Sequence, residues 1–295
     1  MNTAEMTAKM AAGQGFIAAL DQSGGSTPKA LAGYGIEAGA WSNDDEMYAL
    51  IHQMRCRIIR SAAFTGEKVL GAILFERTMD GTVDGKCTPA ALIAKGIVPF
   101  IKIDKGLEDE IHGVQPMKPM PELDALLVRS KALGVYGTKE RSVINSADAA
   151  GIAAIVAQQF DVARQVLAHG MMPILEPEVN IKSTTRAECD TILRDEILKA
   201  LAGMNEQVML KLSLPVVPGT FEPLVDHPKV LRVVALSGGY ERPEACAELA
   251  KNRGIIASFS RALLQDLRFG MSDAEFDAAL GSAIDEIYAG STVKS

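Results

Sequence analysis

Eight short apolar runs, each followed by a polar turn and then by a longer stretch with helical spacing, recur along the chain. They are Gly15–Leu20, Val69–Phe75, Ile97–Ile103, Gly134–Thr138, Met171–Leu175, Gln207–Leu212, Arg232–Leu236 and Gly254–Ser258. Amphipathic stretches such as Ser146–Ala168, Thr185–Gly203 and Pro243–Arg253 lie between them. A strand that is apolar throughout must be covered on both faces, so this alternation predicts a parallel sheet wrapped in helices. Eight such units in about 250 residues is the size of a closed barrel. An open doubly wound sheet shares the alternation, but it usually draws its ligand site from one crevice. Here polar residues mark the C-terminal end of most runs, which favours the barrel. The predicted fold is α/β, a single (β/α)8 TIM barrel, with residues 1–295 as one domain. The proline-bearing stretch Gly106–Pro121 reads as a loop inside the third unit, not as a boundary.

Composition narrows the function classes. The chain carries 30 Lys+Arg against 37 Asp+Glu, a net charge of −7, and no basic stripe, so nucleic acid is not an expected partner. Met1–Met10 carries Glu5 and Lys9 and lacks the apolar core of a signal peptide. No uncharged apolar run is long enough to cross a bilayer; the one after Asp148 stops at Asp161. Cys56, Cys87, Cys189 and Cys246 are widely spaced, as expected of reduced thiols. A cytoplasmic protein without a membrane partner follows as the expectation. No sequence device sets an oligomeric state, so a homo-oligomer stays open.

Residues two apart share a face of a strand. Several runs end in charged or polar groups at that spacing: Lys102 and Asp104 after the third, Lys139 and Arg141 after the fourth, Glu176 and Glu178 at the end of the fifth, Lys211 and Ser213 on the sixth. Asp21 ends the first. A single solvated strand end is commonplace, but five would converge at the C-terminal mouth of a closed barrel, where barrel enzymes place their chemistry.

Lys211 interrupts Val208-Met-Leu210 and Leu212 in a strongly apolar strand. Loss of water and the nearby cations Lys139 and Arg141 favour the free amine, which attacks carbonyls to form a Schiff base. A salt bridge to a carboxylate such as Glu178 is the competing reading of that strand alone. Glu176 and Glu178, in unlike surroundings, suit the proton transfers such chemistry needs; the alternative is a solvated loop entry around Pro177. Ser237-Gly-Gly239 follows the seventh run and Ser258-Phe-Ser-Arg261 the eighth, where barrels commonly bind phosphate. Asp21-Gln-Ser-Gly-Gly-Ser26 could hold another anion together with Lys102, which suggests a substrate phosphorylated at both ends. His52, His112, His169 and His227 show no metal-ligand spacing, and neither a P-loop nor a dinucleotide fingerprint is present. No metal and no cofactor are expected.

Taken in order, Asp21-Gln-Ser-Gly-Gly-Ser26, Phe100-Ile-Lys-Ile-Asp-Lys-Gly106, Lys139-Glu-Arg141, Glu176-Pro-Glu178, Leu210-Lys211, Leu236-Ser-Gly-Gly239 and Ser258-Phe-Ser-Arg261 resemble class I fructose-bisphosphate aldolase, in particular its shorter bacterial branch. The resemblance implies metal-independent cleavage of fructose 1,6-bisphosphate to dihydroxyacetone phosphate and glyceraldehyde 3-phosphate, in glycolysis or gluconeogenesis. It implies Lys211 as the Schiff-base lysine, Glu176 as principal acid and base, and Glu178 as its assistant in iminium formation. Asp21 would accept the C4 hydroxyl proton, Lys139 would stabilise oxyanions and Arg141 would add positive charge. Ser237, Gly238, Gly239, Ser258 and Arg261 would hold the C1 phosphate, and Ser26 and Lys102 the other.

The chain departs from the longer members of that family at a few positions. Glu140 stands where they carry tryptophan, Ser260 where a glycine is expected and Ala30 in place of an arginine. Tyr288 falls in a helical segment and is a poor stand-in for their C-terminal tyrosine. Two other readings remain: a Schiff-base aldolase for tagatose 1,6- or sedoheptulose 1,7-bisphosphate, and a barrel that binds a sugar phosphate without turnover.

Overall fold

The computed structural model describes residues 1–295. Its eight parallel strands are β1 (Phe16–Leu20), β2 (Val69–Leu74), β3 (Val98–Lys102), β4 (Gly137–Ile144), β5 (Met172–Val179), β6 (Val208–Ser213), β7 (Val230–Leu236) and β8 (Ile256–Ala257). Each pairs with its neighbour in chain order. The ring closes where the Ala19 amide donates to the Phe259 carbonyl at 3.1 Å. This is the (β/α)8 barrel that the alternation implied, nearly closed because β8 is so short.

Two strands are longer than the apolar pattern suggested. β4 does not occupy Gly134–Thr138; it runs from Gly137 to Ile144 and so contains Lys139, Glu140 and Arg141 instead of ending before them. β5 likewise extends past Leu175 to take in Glu176 and Glu178. The two strands hold eight consecutive residues in register, Gly137 opposite Met172 through Ile144 opposite Val179. This shared ladder fixes both segments, and alternation turns Lys139, Arg141, Glu176 and Glu178 toward the barrel interior. The loop Gly106–Pro121 lies in the third unit as expected and contributes a short strand, Val114–Gln115, antiparallel to the end of β4.

The interior is layered. Met6 and Met10, on the N-terminal helix Thr3–Ala12, plug the bottom beside Tyr136, whose hydroxyl meets Thr7 Oγ1 at 2.9 Å. Above them Ile17, Val98, Phe100, Ile174, Met209 and Val234 fill the middle of the barrel. The next inward position on four of these strands is charged: Asp21 above Ala19, Lys102 above Phe100, Glu176 above Ile174, Lys211 above Met209. Gly137 begins the inward row of β4, because a Cβ there would lie 2.1 Å from the Met172 carbonyl and 2.9 Å from the Phe100 ring. A separate and larger apolar shell fills the space between the strands and the helices.

Asp148 caps the helix Ala149–Ala168, accepting from the Gly151 amide at 2.8 Å, so the helix starts after Ser146. Pro243 sits in the first turn of Arg242–Ala250, where its missing N–H costs nothing. No helix is long and apolar enough to cross a membrane.

Candidate active site

Four of the sequence-derived residues meet at the mouth as one ion cluster. Lys211 Nζ lies 2.9 Å from Glu176 Oε1, and Lys139 Nζ lies 2.8 Å from Glu176 Oε2 and 2.8 Å from Asp21 Oδ2. All are buried, with Lys211 4% exposed and Lys139 3%. The register that sets Leu175 opposite Leu210 carries Glu176 beside Lys211. Lys211 therefore does face a carboxylate, but the partner is Glu176 and not Glu178. The environment expected from neighbouring cations is replaced by a shared anion between two lysines.

The electrostatics follow from that sharing. Burial works against ionisation of Asp21, yet Lys139 and Lys211 outweigh it and hold the carboxyl far below the usual range. Glu176 is governed by the same opposition and is also lowered. Burial disfavours the Lys139 ammonium, but Asp21, Glu176 and Asp104 together raise it well above an ordinary lysine. These charges persist in a dry site only because each is paired.

Asp104 belongs to this cluster although the sequence reading gave it no role. Its carboxylate accepts from Lys102 at 2.7 Å and lies 3.9 Å from Lys139. The signal was present, since Asp104 stands two residues beyond Lys102. Lys102 also donates to the Asp104 carbonyl at 2.7 Å, and burial lowers its pKa. Arg141 and Glu178 form a separate pair at 2.9 Å nearer the rim, where the Arg141 side chain is 41% exposed.

The glycine corner after β7 closes on Arg261. Gly238 and Gly239 have φ of 63° and 125°, which other residues rarely adopt. A Cβ on Gly239 would lie 3.5 Å from the Arg261 guanidinium. Ser237 is buried, and the fully buried Ser258 hydroxyl has no partner within the protein. An oxyanion offers such groups what they lack. No hydrogen bond joins Ser26 to Lys102: Ser26 is exposed at the start of the helix Ser26–Tyr34, its hydroxyl donating to the Ser23 carbonyl at 2.8 Å. Tyr288 sits on the helix Asp273–Thr292, near Lys68 at the N-terminal end of β2, away from the mouth.

The residue between Lys139 and Arg141 faces the other way. Glu140 points outward, fully buried opposite Leu175 and between Thr138 and Ser142 on its own face of β4, and neither carboxylate oxygen has a hydrogen-bond partner. Burial, reinforced by Asp104 and only partly countered by Lys139, pushes its pKa well above that of an ordinary glutamate.

The sequence model of the family described as fructose-bisphosphate aldolase class-I matches residues 2–220. Among solved structures, the chain is similar to a fructose-bisphosphate aldolase from Plasmodium falciparum crystallised with TRAP and a small-molecule inhibitor, with a TM-score of 0.80 and 19% identity over 99% of this chain and 96% of that one. An archaeal fructose 1,6-bisphosphate aldolase superposes with a TM-score of 0.56 and 13% identity, covering 98% and 100%. A Schiff-base-forming fructose-1,6-bisphosphate aldolase gives 0.54 and 11%, covering 96% and 100%. At these identities the structures establish the shared fold. Fold and family together define an aldolase, a carbon–carbon lyase built on a (β/α)8 barrel. More particularly, the chain belongs to the class I fructose-bisphosphate aldolase family.

Proposed function

We propose that this protein cleaves fructose 1,6-bisphosphate to dihydroxyacetone phosphate and glyceraldehyde 3-phosphate, and catalyses the reverse condensation, through a Schiff base on Lys211 and without a metal. The observation that carries this reading is the buried Lys211–Glu176–Lys139–Asp21 cluster, a lysine in direct proton contact with a carboxylate at a barrel mouth. A cytoplasmic role in glycolysis or gluconeogenesis accords with the reaction.

Glu176 takes a proton from the Lys211 ammonium, and the free amine attacks the C2 carbonyl of the open-chain ketose. A proton shifts from the attacking nitrogen to the C2 oxygen, Glu176 returns its own proton to the resulting hydroxyl, water leaves and the iminium forms, with Glu178 assisting from the rim. Asp21, held ionised by Lys139, accepts the C4 hydroxyl proton. The C3–C4 electron pair then flows to the iminium, giving an enamine and free glyceraldehyde 3-phosphate. Protonation at C3 and hydrolysis release dihydroxyacetone phosphate and regenerate Lys211. Lys139 and Arg141 offset the oxyanion charge that develops. Ser237, Gly238, Gly239, Ser258 and Arg261 hold the C1 phosphate. Ser26 and Lys102 hold the second phosphate once Lys102 exchanges Asp104 for it.

Intact-mass spectrometry after incubation with fructose 1,6-bisphosphate and borohydride, with and without EDTA, tests the proposal. The expected result is a reduced triose-phosphate adduct on Lys211 that EDTA does not alter. Activity abolished by EDTA with no adduct would overturn it. Rates on purified fructose, tagatose and sedoheptulose bisphosphates are expected to favour fructose.

Lys139→Met removes the cation that Asp21 and Glu176 share. Both carboxyls then titrate higher, so the acidic limb of the kcat/KM profile moves to higher pH. Stability falls by roughly 3–5 kcal/mol because buried carboxylates lose their partner. An unmoved acidic limb in a folded variant would contradict the assignment.

A further inference from the structure

Arg55 lies on the helix Asp44–Arg60, outside the barrel, and its side chain is wholly buried with no carboxylate in contact. A buried guanidinium is expensive, and a carboxylate usually compensates it. Here its bonds go elsewhere. One nitrogen donates to Thr78 Oγ1 at 2.6 Å; another donates to the Gln22 carbonyl at 2.6 Å and to Gln22 Oε1 at 3.0 Å. Burial draws Arg55 down to about 10, opposed by the charge of Asp21.

Gln22 directly follows Asp21, and its amide donates to Ser260 Oγ at 2.7 Å. Ser260 stands between Ser258 and Arg261 in the loop after β8. The chain Thr78–Arg55–Gln22–Ser260 thus crosses the seam where β1 meets β8, the place where the barrel is least secured. β8 is only two residues long, and the Ala19–Phe259 bond noted above lies on this seam.

We propose that Arg55 is a positioning residue which locks the Asp21 strand end to the Ser258–Arg261 loop through Gln22, fixing the distance between the C4 proton acceptor and the C1-phosphate site. It also presents a buried positive charge to Asp21 from behind the barrel wall. Asp21 faces Lys102 on β3, Lys139 on β4, Glu176 on β5 and Lys211 on β6, so Arg55 is the charge contributed from the helical layer. A neutral residue could fill the space, but it could not fork to Thr78 and both oxygens of Gln22. This inference rests on the proposed aldolase reading of the site.

The test uses Arg55→Met, Arg55→Lys and Gln22→Leu in the full chain, with steady-state kinetics, pH profiles and borohydride trapping of dihydroxyacetone phosphate. Arg55→Met is expected to lose about 100-fold in kcat/KM for fructose 1,6-bisphosphate, the scale of a misplacement near 1 Å. Its acidic limb should move to higher pH, while Lys211 still traps dihydroxyacetone phosphate, a step that does not need Asp21. Arg55→Lys should restore the limb but not KM, since an ammonium replaces the charge and not the fork. Gln22→Leu leaves the cation and cuts the tie, so it should raise KM with the limb unmoved, and it serves if Arg55→Met does not fold. Kinetics that fall only in proportion to folded protein, with limb and KM unchanged, would overturn the proposal. Failure of trapping in the unmodified protein would instead refute the aldolase reading itself.

Discussion

Lys211→Met is expected to abolish borohydride trapping and to lower cleavage by about 10⁴-fold or more, the scale seen when a covalent nucleophile is removed. The effect should fall on chemistry and not on folding. Lys211 stands above Met209 on the inward row of β6, so a thioether side chain of similar length suits the site sterically. Glu176 keeps Lys139 at 2.8 Å as counter-charge. Binding of the ketose bisphosphate should persist, because the groups assigned to its phosphates are untouched. Mass spectrometry, single-turnover cleavage and a binding isotherm on one sample separate these outcomes. A variant that still traps a triose phosphate would move the nucleophile elsewhere, with Lys139 and Lys102 as the remaining lysines of the mouth.

Glu140→Met should stabilise the protein, by an amount that grows with pH. The folded chain keeps Glu140 protonated well above the pH at which an unfolded chain releases that proton. Between those two points the native state binds the extra proton, so stability falls as pH rises and levels off only above the folded pKa. Each pH unit in that window costs about 1.4 kcal/mol. Methionine has similar length, no charge and no unpaired polar atom to bury opposite Leu175. The charges that act on Glu140 across the barrel wall are Asp104 on the β3 side, Lys139 on its own strand and Glu176 on β5. Melting curves at pH 5 and pH 8 should show a small gain at the lower value and a larger one at the higher, each kcal/mol being worth roughly 2–4 °C in a large domain. An equal offset at both pH values would mean that Glu140 does not titrate in this window.

Glu140 also illustrates where reading along the chain stops. It lies between two site residues, in a segment that resembles a family motif, and nothing in that triplet says which face it takes. The boundary of β4 decides that. Apolar patterning ended the strand before Lys139, because charged residues look like a loop when their burial is unknown. Pairing with β5 carries the strand to Ile144, and alternation then sends Lys139 and Arg141 inward and Glu140 outward. Asp104 was within reach of the same spacing argument. Arg55 and Gln22 were not, since a helix residue facing the outside of a barrel shows no periodicity that distinguishes it from an ordinary charged position.

The eight-unit rhythm and the charges spaced two apart at the ends of the runs were enough to imply a closed barrel with a charged mouth. Both are local properties: a strand alternates its faces and an apolar run demands cover, whatever lies far away in the chain. Partner choice was left to the folded molecule. Glu176, and not Glu178, meets Lys211 because of the register between β5 and β6, and Arg55 reaches Gln22 because its helix packs beside the residues that follow β1 and β2. Register and packing depend on contacts between segments tens to hundreds of residues apart, and no local pattern encodes such distances.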